Sequence, residues 1–306
     1  MLLNAIDLKN TDKEGFQAEY FGKSKPVRVT GIPPSTLAYT KWTFPFFETI
    51  GAEIELDLSD DPLRRGITTS KSSLREYSRA IQTKTTDLYA NGWPFEQTHP
   101  DLLEDFSLPD FHPDDFIDTL PPSVRFRRKW IFLGVQGILS DLHVDAFTTN
   151  AWLMLIHGVK TVRLISPLHL PYVTGSDSLF DENLIRSLDK KNVDVLQMAL
   201  MPGTVGYVPS GWMHQVKNET DTVMVTGNFS TRLDVARFYP NFRRLVTRDA
   251  NRCDAIFTEY VSKIAERALS EEHVLAIKQE QLRLQGDIDA IAGRLRLLDR
   301  LLAPNN

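Results

Sequence analysis

The chain has 306 residues, of which 42% are hydrophobic and 25% are charged, and its formal net charge is −5. This length suits one large domain or two small ones, and the mild acidity gives no general reason to expect nucleic-acid binding. A single cysteine, Cys253, excludes an intrachain disulfide and a thiolate cluster, so any metal needs histidine, carboxylate or carbonyl ligands.

We expect neither a secretion signal in the first residues nor a membrane-spanning segment in the chain. Residues 1–16 lack a basic start followed by a long apolar core. No uninterrupted apolar run in the chain approaches the ~18 residues of a membrane helix. Because a single cysteine also suits a reducing compartment, we expect a cytoplasmic protein with no membrane partner.

Short strands and one helix are predicted in the first part of the chain. Residues 25–34 predict a strand that ends at a Gly-Ile-Pro-Pro turn, and residues 52–59 alternate with the period of a half-buried strand. A helix is predicted over residues 72–82, which begin with serine and carry apolar residues at helical spacing. Residues 85–95 predict a strand that ends in an Asn-Gly turn. Residues 96–125 predict an irregular covering segment with short helical pieces.

The pattern changes to many short strands over residues 128–232. Glycine, proline and Asn-Glu turns separate apolar runs at even spacing, which is typical of an all-β sandwich or barrel. No strand–helix–strand alternation interrupts these runs, which argues against a doubly wound sheet. Residues 168–190 are an insertion that predicts a loop with a short helix.

Residues 233–306 are helical by composition and period, and we treat them as a separate C-terminal region. Their last segment carries an approximate apolar stripe flanked by charged residues. The stripe consists of Val274, Ile277, Leu282, Leu284, Ile288, Ile291, Leu295, Leu298 and Leu301. It either packs on the rest of its own chain or forms a dimer interface. The terminal position and the long charged face favour a homodimer through these helices.

Three polar side chains in the β-rich part suggest a metal site. His143 and Asp145 are two residues apart, so on a strand both would point the same way, and a buried carboxylate needs a cation or strong donors. His214 follows a Pro-Ser-Gly-Trp turn and is the candidate third ligand. Two imidazoles and one carboxylate form the facial triad of non-haem Fe(II) enzymes, although imidazole also suits zinc.

The ordered motifs resemble those of the JmjC/cupin-like family of Fe(II)- and 2-oxoglutarate-dependent oxygenases. The motifs are His-Val-Asp at 143–145, Gly-Val-Lys at 158–160 and Pro-Ser-Gly-Trp-Met-His at 209–214. The interval of 17 residues from the first histidine to the lysine, with Ala-Trp at 151–152, is similar to the JmjC lysyl hydroxylase subgroup. The resemblance covers about residues 25–232.

The resemblance implies a mainly β fold. Its core would be a double-stranded β-helix (jelly-roll or cupin), with N-terminal α/β additions and a C-terminal helical segment. Residues 1–232 would then form the catalytic domain, with core strands over about 128–232. Residues 233–306 lie outside the motifs and are the dimerisation element that the apolar stripe predicts.

The resemblance also implies a cofactor and two co-substrates. Fe(II) would be held by the triad, and 2-oxoglutarate and O2 would bind beside it. Lys160 would bind the far carboxylate of 2-oxoglutarate, with further polar groups supplied by Ser140, Thr226, Asn228 and Tyr89. We also expect an apolar pocket wall over residues 152–154 and at Phe147.

One residue of the motif departs from the family pattern. Leu153 stands where the related lysyl hydroxylase has asparagine. The polar contact that this asparagine would make to the co-substrate or to metal-bound water is then either lost or supplied by Thr149 or Asn150.

These features predict an enzyme that hydroxylates an unactivated C–H bond. The expected substrate is an amino-acid side chain in a protein, a peptide or a small metabolite, since the acidic chain argues against nucleic acid. The alternative is a metal-binding cupin that is not an oxygenase, either an isomerase or a binding module that assembles through its C-terminal helices.

Overall fold

The computed structural model describes residues 1–262 except 4, 8–9, 33–35, 61–67, 109–114, 232 and 247–248, together with residues 282, 285 and 286. The strands are β1 (Ala5–Asp7), β2 (Val27–Thr30), β3 (Glu55–Ser59), β4 (Ser70–Ser73), β5 (Tyr89–Ala90), β6 (Lys129–Gly134), β7 (Asn150–His157), β8 (Lys160–Ile165), β9 (Val195–Leu200), β10 (Val205–Val208), β11 (Met213–Asn218) and β12 (Thr222–Phe229). The α-helices are α1 (Lys13–Phe16), α2 (Ala38–Lys41), α3 (Phe44–Ile50), α4 (Leu74–Gln82), α5 (Glu182–Asp189), α6 (Val235–Arg243) and α7 (Ala250–Ser262). A single π-helical turn, Gln17–Phe21, follows α1.

Two sheets build the core of the molecule. A six-stranded sheet has the order β1-β2-β10-β7-β12-β6, and a three-stranded sheet has the order β11-β8-β9. All strand pairs in them are antiparallel except β1 with β2. One apolar cluster joins side chains of β7, β10 and β12 to side chains of β8 and β9. The predicted mainly β fold with a jelly-roll core is confirmed.

The central strand β7 is buried on both faces. Ala151, Leu153 and Leu155 pack into the cluster between the two sheets. Trp152 and Met154 point to the opposite face, where they join a second cluster with the N-terminal elements. Because successive side chains on a strand alternate between faces, burial of both faces requires the continuous apolar run seen in the sequence.

The N-terminal elements form a layer against the outer face of the six-stranded sheet. A third sheet of order β4-β3-β5 and the helices α3 and α4 belong to it. The helix predicted over 72–82 is α4, which begins with a capping box between Ser73 and Glu76. The strands predicted over 25–34 and 52–59 are found as β2 and β3, whereas the strand predicted over 85–95 is reduced to the two residues of β5.

The C-terminal part begins with α6 and α7, which share an apolar cluster with residues 116–120. Most of the predicted apolar stripe lies outside the described residues, so the dimer interface stays a prediction, as does the domain boundary at residue 232. Leu282 is described, and its side chain is 74% exposed. Among the described helices, none has the length and apolar character needed to cross a membrane.

Candidate metal centre

The two histidines of the proposed triad are held together by their own backbones. His143 and His214 form an isolated antiparallel bridge. The His143 N–H donates to the His214 carbonyl at 3.0 Å, and the His214 N–H donates to the His143 carbonyl at 2.8 Å. Their ring centroids lie 4.3 Å apart. Pairing of a loop residue with the second residue of β11 therefore brings two imidazoles from distant parts of the chain to one point.

Asp145 reaches the same point from a turn, which corrects the expectation of a strand. The strand β7 begins only at Asn150, and Asp145 immediately precedes a 3-10 turn at Ala146–Thr148. A residue in that position normally caps the turn with its side chain, but the Asp145 carboxylate makes no such hydrogen bond. Instead its Oδ1 lies 3.8 Å from His143 Nε2. The turn, rather than strand alternation, aims both side chains at one point.

Backbone carbonyls fix which nitrogen of each histidine carries hydrogen. His143 Nδ1 lies 2.9 Å from the Asp141 carbonyl oxygen, and His214 Nδ1 lies 3.2 Å from the Trp212 carbonyl oxygen. A carbonyl oxygen only accepts, so Nδ1 is the donor in both rings. In the neutral rings Nε2 then keeps its lone pair, as a metal ligand requires.

The three side chains fit a divalent metal ion. Ligand atoms of His143, Asp145 and His214 all lie within 4.8 Å of one another. Asp145 Oδ2 is buried and has no hydrogen-bond partner among the described residues, which is costly for a carboxylate unless a cation neutralises it. Two imidazoles and one carboxylate match the donor set of non-haem Fe(II) sites.

A cavity of about 360 Å³ opens beside this cluster, and all of the predicted metal ligands and 2-oxoglutarate contacts line it. The predicted residues in its wall are Tyr89, Ser140, His143, Asp145, Lys160, His214, Thr226 and Asn228. The apolar part of the wall includes Leu133, Ile138, Ala151, Leu153, Val216 and Met224. The cavity therefore combines a cluster of possible metal ligands with a lysine and several neutral polar groups.

Lys160 lies in this cavity, and none of its partners among the described residues is acidic. Its side chain is only 5% exposed, and its Nζ donates to Asn218 Oδ1 at 2.7 Å. No carboxylate among the described residues forms an ion pair with it. Burial alone lowers the pKa of the Lys160 ammonium from 10.5 to about 7. An anion bound in the cavity would supply the missing negative charge.

Two of the other predicted co-substrate residues already use their polar groups within the protein. The Ser140 hydroxyl donates to the Asp141 carbonyl at 2.9 Å and accepts from the Val216 N–H at 3.0 Å. The Asn228 amide donates to the Thr149 hydroxyl at 2.9 Å. Both residues shape the wall of the cavity, and their contact with a co-substrate stays a prediction, as it does for Thr226 and Tyr89.

The predicted apolar wall is corrected, because only Leu153 of its members lines the cavity. The neighbours of Leu153 on β7 face the N-terminal layer, since successive strand residues alternate. Phe147 instead packs on Phe126, with ring centroids 4.7 Å apart. Thr149 and Asn150 do not line the cavity either, because their side chains bond to neighbouring backbone and side-chain groups.

Sequence reasoning misses five polar residues of the cavity wall, namely Ser59, Asn91, Trp130, Asp141 and Asn218. Asn218 lies opposite Lys160 in the register of β11 and β8. Its position four residues after His214 places it on the same strand face as that histidine, which is the signal that identifies it. Trp130 lies opposite Thr226 in the register of β6 and β12, and only the pairing of those strands places it there.

Comparisons with known proteins point to one family. A profile described as the cupin-like domain matches residues 13–234. The chain is 27% identical over 237 residues to the lysine-specific demethylase JMJ21 of Arabidopsis thaliana, a match covering 72% of this chain and 25% of that protein. It is 24% identical over 246 residues to the bifunctional arginine demethylase and lysyl-hydroxylase psr-1 of Caenorhabditis elegans, covering 74% of this chain and 61% of that protein.

A third relative has a name that states both cofactor and co-substrate. The chain is 26% identical over 155 residues to the 2-oxoglutarate and iron-dependent oxygenase JMJD4 of Mus musculus, covering 46% of this chain and 36% of that protein. The matches therefore span between 25% and 61% of the length of these three relatives.

Proposed function

Because the chain belongs to the cupin-like JmjC family, we propose that it is an Fe(II)- and 2-oxoglutarate-dependent oxygenase. It would hydroxylate an unactivated C–H bond of an amino-acid side chain. The observation that carries this proposal is the placement of the His143, Asp145 and His214 ligand atoms within 4.8 Å, in the cavity that also holds Lys160.

Different side chains of the cavity would have different roles in such a reaction. His143, Asp145 and His214 would hold the metal, and when bound Fe(II) supplies the activation of dioxygen that couples 2-oxoglutarate decarboxylation to hydroxylation. Lys160 would orient the co-substrate through its far carboxylate. The apolar wall around Leu153 would exclude water from the reacting centre.

A protein or peptide side chain is the substrate that best agrees with the relatives and the cavity. The names of two relatives refer to lysine or arginine residues. In this chain, Asp141 brings a carboxylate to the cavity in addition to the proposed metal ligand, and Trp130 brings an aromatic ring. Carboxylates and aromatic faces both favour a basic side chain. A free amino acid of the same chemistry would fit the same groups.

A metal-binding cupin without oxygenase activity is not favoured. Such a protein has no dicarboxylate to bind, and a buried ammonium group without a carboxylate partner would only cost stability. The environment of Lys160 is explained by a dianionic co-substrate and remains unexplained in the alternative.

A spectroscopic titration tests the proposed function before any substrate is known. Anaerobic addition of Fe(II) and 2-oxoglutarate to the full chain should give a weak visible band at about 500 nm, as expected of a keto acid chelated to iron with open positions. The His214→Ala variant serves as the control and should not give the band. Absence of the band from the native protein, at concentrations that saturate related enzymes, would contradict the proposal.

A second experiment addresses the substrate class. The protein would be incubated with Fe(II), ascorbate, 2-oxoglutarate and a library of lysine- and arginine-containing peptides. The expected product carries one additional oxygen atom in mass spectrometry, with equimolar succinate. Oxygen incorporation only into free metabolites, or only into RNA, would contradict a peptide substrate while leaving the oxygenase chemistry intact.

For the assembly state, we infer a homodimer that forms through the C-terminal helices in the cytoplasm. The support is the apolar stripe over residues 274–301 with its charged flanks. Light scattering coupled to size exclusion should give twice the mass of 34.8 kDa for the full chain. A chain shortened at about residue 270 should give the mass of one copy. An unchanged association state after shortening would reject the interface.

A further inference from the structure

The loop that carries Asp145 (the Asp145 loop) and the turn immediately before β11 and His214 (the His214 loop) are bonded to each other. Ser210 lies four residues before His214, and Thr148 lies three residues after Asp145. The Ser210 hydroxyl donates to the Thr148 carbonyl at 2.5 Å. The distance between the two loops is therefore set by contacts outside the group of possible metal ligands.

Arg237, on α6, contacts both loops at once. Its Nη1 donates to the Ser210 carbonyl, and its own carbonyl accepts from the Thr148 hydroxyl at 2.8 Å. The residue is only 9% exposed. Gly211 has a φ of +76°, and a Cβ there would lie 2.9 Å from Arg237 Cδ and Nη1. The guanidinium thus fits against a backbone that only glycine provides.

The start of α6 is itself anchored to the same loops. Asp234 is 3% exposed and accepts from the Ser230 hydroxyl at 2.8 Å and the Thr231 hydroxyl at 2.6 Å. Asp234 also accepts from the Asn150 side-chain amide at 2.6 Å. Asn150 Oδ1 in turn accepts from the Ser210 N–H at 2.9 Å. Because every member of this chain of hydrogen bonds is paired, it holds α6 rigidly against the loops.

The turn after Asp145 needs such support. Phe147 and Thr148 both have a φ of 56°, a left-handed conformation that is unfavourable for residues with a side chain. A backbone in this conformation persists when surrounding contacts over-determine it. In this protein α6 supplies several of those contacts, through the Arg237 carbonyl that accepts from the Thr148 hydroxyl and through the rings of Phe238 and Phe242 packed on Phe147.

We propose that Arg237 is a positioning residue for the metal centre, which holds the Asp145 loop and the His214 loop at the separation that metal binding requires. The proposal rests on the proposed function in one respect, namely that the triad binds a metal. It assigns α6, which follows the jelly-roll core and lies outside the sequence motifs, to the scaffold of the site.

Metal affinity of the full-length protein tests the proposal without any turnover. Mn(II) binding would be followed by electron paramagnetic resonance for the native protein and for Arg237→Met, which keeps the length of the side chain and removes its donors. Loss of an outer contact that orients metal ligands typically weakens binding about 10- to 100-fold. We expect a loss of at least about tenfold for Arg237→Met, with an altered Co(II) absorption spectrum.

Arg243→Met is the matched control on the same helix. Arg243 pairs with Asp254 at 2.8 Å and touches neither loop, so its loss removes a charge and an ion pair from α6 without affecting the loops. We expect Mn(II) affinity within twofold of native for this variant, even where its melting temperature falls. If the effect came from a general destabilisation of α6, Mn(II) affinity would fall equally in both variants, and this result would overturn the proposal.

The remaining outcomes separate this proposal from the proposed function. A native protein that binds no Mn(II) would contradict the metal centre itself. Native-like Mn(II) affinity and Co(II) spectrum in a folded Arg237→Met protein would overturn the positioning role alone. Where Arg237→Met does not fold, the Thr148→Val variant tests the proposal, because it removes the hydroxyl that donates to the Arg237 carbonyl and accepts from the Asn241 amide of α6. It should weaken Mn(II) binding about three- to tenfold, and an unchanged affinity would overturn the role.

Discussion

At the scale of single residues, Lys160 combines a positive charge with surroundings that exclude water. Its only hydrogen-bond acceptor among the described residues is the neutral amide of Asn218. A buried charge without a counter-charge costs free energy, and this cost is the origin of the lowered pKa of Lys160, about 7. The protein therefore carries a local destabilisation that a bound anion would relieve.

Replacing Lys160 with methionine should stabilise the protein in the absence of co-substrate. Methionine fills a similar volume without a charge, and we expect the free energy of unfolding at pH 6 to rise by about 1–4 kcal/mol. Urea denaturation with and without 2-oxoglutarate would measure this. The stabilisation that 2-oxoglutarate gives to the native protein in the presence of Mn(II) should be lost in the variant.

Lys217→Met is the exposed control for this change. Lys217 lies on β11, is 37% exposed and pairs with Glu219 at 3.2 Å. Its replacement should change the free energy of unfolding by less than about 1 kcal/mol and leave the response to 2-oxoglutarate intact. A destabilised Lys160→Met protein that still responds to 2-oxoglutarate would show that the lysine has a structural role only.

The affinity for 2-oxoglutarate should fall as the pH rises above 7. Because the pKa of Lys160 is about 7 instead of 10.5, the lysine of the co-substrate-free protein is neutral above pH 7, and binding the dianion must take up a proton. The dissociation constant should therefore rise by up to about tenfold per pH unit. Calorimetry at pH 6.5, 7.5 and 8.5 in buffers of different ionisation enthalpy would measure both the affinity and the proton uptake.

The same pKa sets the sign of the stability change without co-substrate. Between pH 7 and pH 10.5 the unfolded chain keeps a proton on Lys160 that the folded chain has lost. Stability due to this group therefore rises with pH across that window, and the full cost of burial is present below pH 7. A flat affinity for 2-oxoglutarate between pH 6.5 and 8.5 would contradict the assignment of Lys160 as the anion-binding residue.

At the scale of secondary-structure elements, the connection from β7 to β8 carries the chain from one sheet to the other and places Lys160. Gly158 in this connection has a φ of +84°, and a Cβ on it would lie 2.1 Å from the Asp221 carbonyl oxygen. Gly137, after β6, has nearly the same φ of +86°, but a Cβ there would meet no neighbouring atom within 4 Å. A substitution at Gly137 therefore measures the cost of the left-handed backbone alone, whereas one at Gly158 adds the cost of steric overlap.

We expect alanine at Gly158 to destabilise the protein far more than alanine at Gly137. At Gly137 the cost is the left-handed conformation alone, about 1–2 kcal/mol. At Gly158 the overlap with the backbone of residue 221 adds to it, for a total of about 3 kcal/mol or more. Because the connection must shift, 2-oxoglutarate affinity should also fall in Gly158→Ala and stay unchanged in Gly137→Ala. Equal losses of unfolding free energy for the two variants in chemical denaturation would show that the β7–β8 connection can shift to accommodate the added Cβ at little cost.

The elements also show what a single sequence reveals and what it hides. The strand run of β7 and the capped helix α4 follow from local patterns, and ordered motifs identify His143, Asp145, His214 and Lys160. The turn at Asp145 escapes prediction because its left-handed residues are phenylalanine and threonine, which carry no turn signal. Pairing between residues far apart in the chain, such as Lys160 with Asn218, follows only from the strand register.

At the scale of the whole molecule, the N-terminal layer and the jelly-roll share one apolar cluster. A series of ring contacts connects Phe47 on α3 to Trp42, Trp42 to Phe106, and Phe106 to Trp152 on β7, with centroid distances of 6.0, 5.6 and 5.9 Å. Because the outer face of the six-stranded sheet is buried by this layer, neither part is expected to keep its structure alone.

Phe47→Ala should therefore destabilise the jelly-roll that holds the metal centre, although Phe47 lies in the N-terminal layer. Phe47 is fully buried, and its truncation should lower the free energy of unfolding by about 3–5 kcal/mol. Phe46 precedes it on α3 and is only half-buried, so Phe46→Ala is the matched control with a smaller loss. Far-UV circular dichroism, tryptophan fluorescence and Mn(II) release should follow one transition in every variant. A Phe47→Ala protein that unfolds in two steps and binds Mn(II) between them would show that the jelly-roll folds independently of the N-terminal layer.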